Sequence, residues 1–142
     1  MTDGHIVVAL DVGDRRIGVA VASLEARLPS PLLTIDRTKV GDIFEVIKQL
    51  IETQGATALV VGLPRDIEGR ETAQTLATRQ FADELSKVVS IPIHLQDEAG
   101  TSLQAKAELD AKNRPYEKGD VDSLAATFIL RDWLNLPPEE AV

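Results

Sequence analysis

Four acids in this 142-residue chain stand where a structural element is expected to begin or end. Asp11 closes the apolar run HIVVALD, Asp97 and Glu98 close IPIHLQDE, and Asp122 opens a helical pattern near the C-terminus. Singly, each reads as a turn or cap residue, since a carboxylate in a helix's first turn meets the positive end of the helix dipole. Together they form a set of hard oxygen donors, and crowded carboxylates raise one another's proton affinity unless a cation joins them. Such donors suit Mg2+ or Mn2+ and not zinc. Two such ions about 4 Å apart activate a water and stabilise the leaving oxygen of a phosphodiester. The chemistry expected of the set is hydrolytic and requires no histidine. His94 falls in mid-strand and reads as a packing residue, His5 as a surface one.

Glycines and cations accompany these acids. Gly13 and Gly18 follow Asp11 and bracket Arg15 and Arg16; they permit unusual backbone angles and close approach of another backbone. Arg65 and Arg70 lie in the loop PRDIEGRE, and Arg114 and Lys118 precede Asp122. Arg15, Arg16, Arg65, Arg70 and Lys118 are therefore candidate contacts to phosphate oxygens. The net charge of −8 argues against a general coat for nucleic acid, so any such cations would form a local rim. One Trp, one Tyr and three Phe offer no platform for stacking single-stranded bases.

These residues need a scaffold. His5 to Asp11 and Arg16 to Ala22 read as strands joined by a hairpin over VGDR, with a third strand at Leu32 to Ile35. Ile43, Val46, Ile47, Leu50 and Ile51 then show one-face helical spacing, ended by Gly55. ALVVGL reads as a central parallel strand covered on both faces. A helix from about Thr72 to Val89 is expected to bury Ala73, Leu76, Ala77, Phe81, Leu85 and Val88. A fifth strand spans Ile91 to Asp97, and Thr101 to Gln104 is a capping-box pattern opening a helix that runs to about Lys112. Asp120 is the expected N-cap of a last helix reaching Leu134. The order βββαβαβα implies an α/β domain, a mixed five-stranded sheet with helices on both faces, in one unit over residues 1–136 with a short flexible tail at 137–142. Ligands in such sheets gather at the carboxyl ends of the parallel strands. No cysteine is present, and the N-terminal apolar run is too short for a signal peptide or a membrane span, so a cytoplasmic protein is expected.

The stretches ALDVGDRRIGVAVA, VVGLPRDIEG, HLQDE and KGDVDSLAA, in this order and over nearly the whole chain, resemble the YqgF/RuvX family. That resemblance implies a ribonuclease-H-like fold and catalytic, metal-binding acids at Asp11, Glu98 and Asp122, with Asp97 as a helper. It also implies Mg2+ or Mn2+ as cofactor and a precursor rRNA as nucleic-acid partner, trimmed at the 5′ end of its 16S portion during ribosome biogenesis. No membrane is implied, and the expected state is a monomer or weak homodimer. Three other readings stand beside it: the same chemistry on a four-way DNA junction, which a symmetric dimer would favour; a catalytically weak binding or regulatory module; and a sugar-kinase or actin-like ATPase, for which 142 residues leave no room for a second domain.

One departure from the family pattern bears on substrate binding. Where the family has Asp-Glu-Arg-Leu before two hydroxyl residues, this chain has Asp97-Glu98-Ala99-Gly100-Thr101-Ser102. Loss of a charge-assisted phosphate contact costs about 1.5–3 kcal/mol. Ala99→Arg is expected to tighten substrate binding and improve cleavage; unchanged affinity in a direct binding titration would rule the missing contact out.

Overall fold

The computed structural model describes residues 5–98, 107–112 and 117–135. Five strands form one sheet: β1 (Ile6–Val12), β2 (Arg16–Ser23), β3 (Ser30–Asp36), β4 (Ala56–Pro64) and β5 (Ile93–Glu98). Their spatial order is β3-β2-β1-β4-β5. β2 runs antiparallel to both β1 and β3, whereas β4 runs parallel to β1 and to β5. Three helices flank the sheet, α1 (Ile43–Gln54), α2 (Ala73–Ser86) and α3 (Lys118–Leu134), and residues 107–111 are also helical. The mixed α/β architecture expected from the sequence is present.

Side-chain parity divides the sheet into two faces. Val8, Leu10, Ile17, Val19, Leu59 and Val61 join Ile47 and Ile51 of α1 and Phe81 and Leu85 of α2 in one core. Val7, Ala9, Ala20, Ala22 and Val60 join Ala126, Ile129, Leu130 and Trp133 of α3 in the other. Val7 through Leu10 are each fully buried, which explains why β1 reads as a continuous apolar run. Helix ends obey local chemistry. Asp42 Oδ1 accepts from the Phe44 amide at 3.0 Å to start α1, and Gly55, at φ +68°, ends it in the left-handed conformation.

Two expectations need correction. The stripe that α2 buries is Thr75, Thr78, Phe81, Ala82 and Leu85, whereas Leu76 is 59% exposed and Val88 42%. Thr75 can go inside because its hydroxyl donates to the carbonyl of Pro64, so a polar residue satisfies the helical period in place of a leucine. Helix α3 starts earlier than expected, with Glu117 as N-cap; Asp120 is its third helical residue and accepts from the Glu117 amide at 2.9 Å. Asp122 therefore sits in the second turn, not the first. The Thr101 helix start, Ala99, Gly100, Arg114 and the tail 137–142 lie outside the described residues.

Two glycines set how closely α3 lies on the sheet. A methyl group at Gly18 would fall 1.9 Å from the Asp122 carbonyl oxygen and 2.8 Å from the Ser123 nitrogen, both backbone atoms. At Gly62 it would fall 2.3 Å from Cδ1 of Ile129, the movable end of a side chain. Both glycines belong to a floor of small residues that includes Ala9, Ala20 and Ala22. Overpacking typically costs about 1–3 kcal/mol, and more where backbone must move. Gly18→Ala should thus lower stability in urea melts more than Gly62→Ala does, and Ile129→Val should recover part of the Gly62→Ala loss but none of the Gly18→Ala loss. Equal costs for the two glycines would contradict the close backbone approach at Gly18.

Candidate active site

The carboxyl end of β1 carries Asp11, paired in register with Gly18 on β2. Its parity places it on the α3 face together with Val7 and Ala9. Because Gly18 has no side chain, the backbone of α3 at Asp122 rests on that position, and the Asp122 carboxylate lies near Asp11. The electrostatic consequence is plain: burial, reinforced by the negative charge of Asp122, pushes the Asp11 carboxyl up from 3.8 to about 6.

Arg16 completes this group. It is the first residue of β2, and its Nε donates to Asp122 Oδ2 at 2.5 Å across 106 residues of sequence. The threonine next to the start of α3 fixes the helix as well: Thr34 Oγ1 donates to the Gly119 carbonyl at 2.6 Å. Two residues that the sequence did not single out brace the β1–β2 turn. Arg37 donates from Nη1 to the Gly13 carbonyl at 2.8 Å while lying over the Phe81 ring, and Gln74 Nε2 donates to the Val12 carbonyl at 3.1 Å. Nothing in the local sequence pattern marks either residue, since both reach the turn from distant elements.

Glu98 and Asp97 end β5, and the sheet separates them. His94 packs its ring against Trp133 of α3 with centroids 5.3 Å apart, so His94, Gln96 and Glu98 occupy the α3 face. His94 is thus the packing residue expected of it. Glu98 shares a face with Asp11 and Asp122, whereas Asp97 is turned to the other side. There Asp97 Oδ1 lies 3.2 Å from Arg65 Nε, and Arg65 also approaches Glu71, which Arg79 holds at 3.1 Å. Asp97 is accordingly removed from the set of acids around Asp11. Strand β4 lies between β1 and β5, so Glu98 stands about 10 Å across the sheet from β1. Among the described residues, no group of three His, Asp or Glu side chains is close enough to hold one metal ion. The structure thus brings Asp122 near Asp11 and places Glu98 on the same face, two strands away, without closing the triad.

The cations differ from the simple rim expected. Arg70 is engaged by Asp66 and Glu68 within its own loop, and Arg65 is taken up by Asp97 and Glu71. Arg15 faces Asp36 at 3.6 Å with most of its side chain exposed, and Lys118 is exposed at the start of α3. Arg15, Arg16 and Lys118 therefore surround the Asp11–Asp122 end of the sheet, while Arg65 and Arg70 serve acids elsewhere. No helix of the described residues is long and apolar enough to cross a membrane.

Comparison with known proteins identifies the family and the fold. Residues 5–136 match the family model described as RuvX: Holliday junction resolvase. Relatives named "Putative pre-16S rRNA nuclease" include one from Roseiflexus sp., 40% identical over 131 residues, covering 91% of this chain and 93% of the relative. Others come from Chloroflexus aurantiacus (38% over 133 residues; 92% and 87%) and Legionella pneumophila (38% over 131 residues; 91% and 94%). Among solved structures, RuvC of T. thermophilus in complex with a Holliday junction substrate shares the fold with a TM-score of 0.56 at 17% identity, over 88% of this chain and 91% of that one. That is a ribonuclease-H-like fold, and the names of family and relatives are those of nucleases, hydrolases of phosphodiester bonds. A family model spanning almost the whole chain, with relatives close to 40% identical at nearly full length, places this chain in the RuvX family.

Proposed function

We propose that this chain is a cytoplasmic nuclease that hydrolyses phosphodiester bonds at the 5′ end of precursor 16S rRNA, with Asp11, Glu98 and Asp122 as its catalytic acids. The observation that carries this reading is the half-buried Asp11 carboxylate, close enough to feel the charge of Asp122, at the carboxyl end of a central strand. Such a pair weakens the fold, since the one cation bonded to it, Arg16 on Asp122, offsets only one of its two charges. The names of the relatives supply the substrate.

The donors fit a divalent metal. Asp11 and Asp122 present hard carboxylate oxygens, and the crowding that raises Asp11 is what a cation relieves. Asp11 and Asp122 would hold Mg2+ or Mn2+, with Glu98 on the same face; Asp97 would not take part. When bound, such ions supply an activated water and charge stabilisation for the leaving oxygen. The protein supplies the rest. Gly18 and the Thr34–Gly119 contact fix Asp122 in place, the braced β1–β2 turn fixes Asp11, and the exposed Arg15 and Lys118 meet phosphates of the strand. Asp11 is mostly ionised at neutral pH in the metal-free protein, so Mn2+ should bind less tightly as pH falls through about 6, which calorimetry at several pH values checks.

A second reading, the same chemistry on branched DNA, is favoured by the family description and by the fold shared with RuvC. Side-by-side assays with Mn2+ on a precursor 16S rRNA fragment and a four-way DNA junction decide between them. The RNA should be cut and the junction left intact, and Asp122→Asn should lose about a hundredfold or more in rate, beyond the loss of an outer-shell partner. Cleavage of the junction alone would transfer the activity to DNA.

The burial of Asp11 also has a thermodynamic signature. Its folded-state pKa of about 6 exceeds its ordinary 3.8, so folding favours the protonated form. Stability from this residue is complete below about pH 4 and is lost as pH rises through 6, by up to about 3 kcal/mol, lessened by the solvent Asp11 still meets. In chelator, Asp11→Asn should therefore melt higher than the parent at pH 7, with the gap narrowing towards pH 4. A gap that does not change with pH would show that Asp11 is not strained.

A further inference from the structure

We propose that Arg16 is an internal counter-ion of Asp122 with which a divalent cation must compete, and that its release couples metal binding to phosphate binding. This rests on the proposed metal site at Asp11 and Asp122 and goes beyond it, because it assigns Arg16 a second position.

Both backbones that carry the pair are held. Arg16 accepts at its carbonyl from the Gly13 amide at 2.9 Å and is in register with Asp36 on β3. Asp122 is seated on Gly18, and the preceding turn is tied to Thr34. Any change at this contact must therefore occur in the side chains. The pair lies at the mouth of the site, with the Arg16 side chain 32% exposed and that of Asp122 18%. Arg16 spends one of its five N–H groups on Asp122, and among the described residues its terminal nitrogens make no hydrogen bond. Oδ2 of Asp122 is thereby engaged, which reduces the oxygens open to a metal.

The charges favour an exchange. Asp11 and Asp122 bring two negative charges, and Arg16 offsets one. A divalent cation that enters between the acids neutralises both and is repelled by a guanidinium a few ångströms away. Arg16 then moves outward, where its planar fork matches the oxygens of a phosphodiester. The cation weakens the hold of Asp122 on Arg16, and a phosphate that captures Arg16 frees Asp122 for the cation. By linkage each ligand strengthens the other. An enzyme built in this way keeps one of its two acidic charges offset between turnovers without closing the site.

Titration of Mn2+ into the nucleic-acid-free protein, followed by calorimetry, tests this. Arg16→Gln, which removes the charge, should bind Mn2+ about tenfold more tightly than the parent, and Arg16→Lys, which keeps it, should stay near the parent. Asp122→Asn should bind more weakly. Unchanged or weaker Mn2+ binding in Arg16→Gln, with Asp122→Asn still impaired, overturns the proposal and leaves the metal site standing. Parent-like Mn2+ binding by Asp122→Asn overturns both. A measurement on the parent covers the case in which a variant does not fold. The Arg16 Nε–H resonance should shift and exchange faster with water as Mg2+ is added, and a resonance unchanged at saturating Mg2+ overturns the proposal.

Discussion

The contact between the backbone of α3 and Gly18 is the constraint on which the rest of this structure depends. A helix ordinarily stands off a sheet by the length of the side chains between them. Here a position without a side chain on β2, within a floor of alanines, lets the helix come down to the strand. The same position is in register with Asp11, so the approach that packs the helix also delivers Asp122 to Asp11. Packing and chemistry share one glycine. Farther along the helix, Gly62 performs the comparable service for Ile129, but against a side chain that can turn aside.

Charge on the two faces of the sheet is handled differently. On the α1–α2 side, Arg65, Asp97, Glu71 and Arg79 alternate in sign and pair with one another near the surface, where single ion pairs contribute little to stability. On the α3 side, two acids share one arginine, leaving a negative excess in a partly buried place. That imbalance costs stability, and it is what supports the functional role proposed for these acids. The overall −8 charge therefore conceals a local division, with exposed Arg15 and Lys118 near the acids that a phosphate strand would approach.

Much of the fold could be read from the chain because its elements carry distinct periods. The covered β1 and β4, the helical spacing from Ile43 to Ile51 and the stop at Gly55 all state their role locally. The site was readable in part. Asp11 and Asp122 stand out in the sequence by lying close to the ends of their elements, but strand alternation says only that Asp97 and Glu98 differ in direction. The choice between them is made by Trp133 and Arg65, far away in sequence. The buried face of α2 was hidden because Thr75 and Thr78 count as polar, and only the structure shows that Thr75 is satisfied by the Pro64 carbonyl. Arg65 and Arg70 looked available because the acids that hold them are found through the loop's conformation, which composition does not reveal. The bracing by Arg37 and Gln74 is a tertiary event with no local trace.

The span of 106 residues between Arg16 and Asp122 has a consequence for the chain during synthesis. β1 and β2 leave the ribosome well before α3, so the acids meet only after the intervening chain has followed. Contacts of such long range also form late in folding, because the loop they close must be ordered before it gives any return. A truncated product ending before α3 carries Asp11 but lacks Asp122 and half of its second core, and so cannot assemble the pair. With the catalytic roles proposed for Asp11 and Asp122, competence to cut a phosphodiester waits for α3, and a chain interrupted before it would be harmless to nearby RNA.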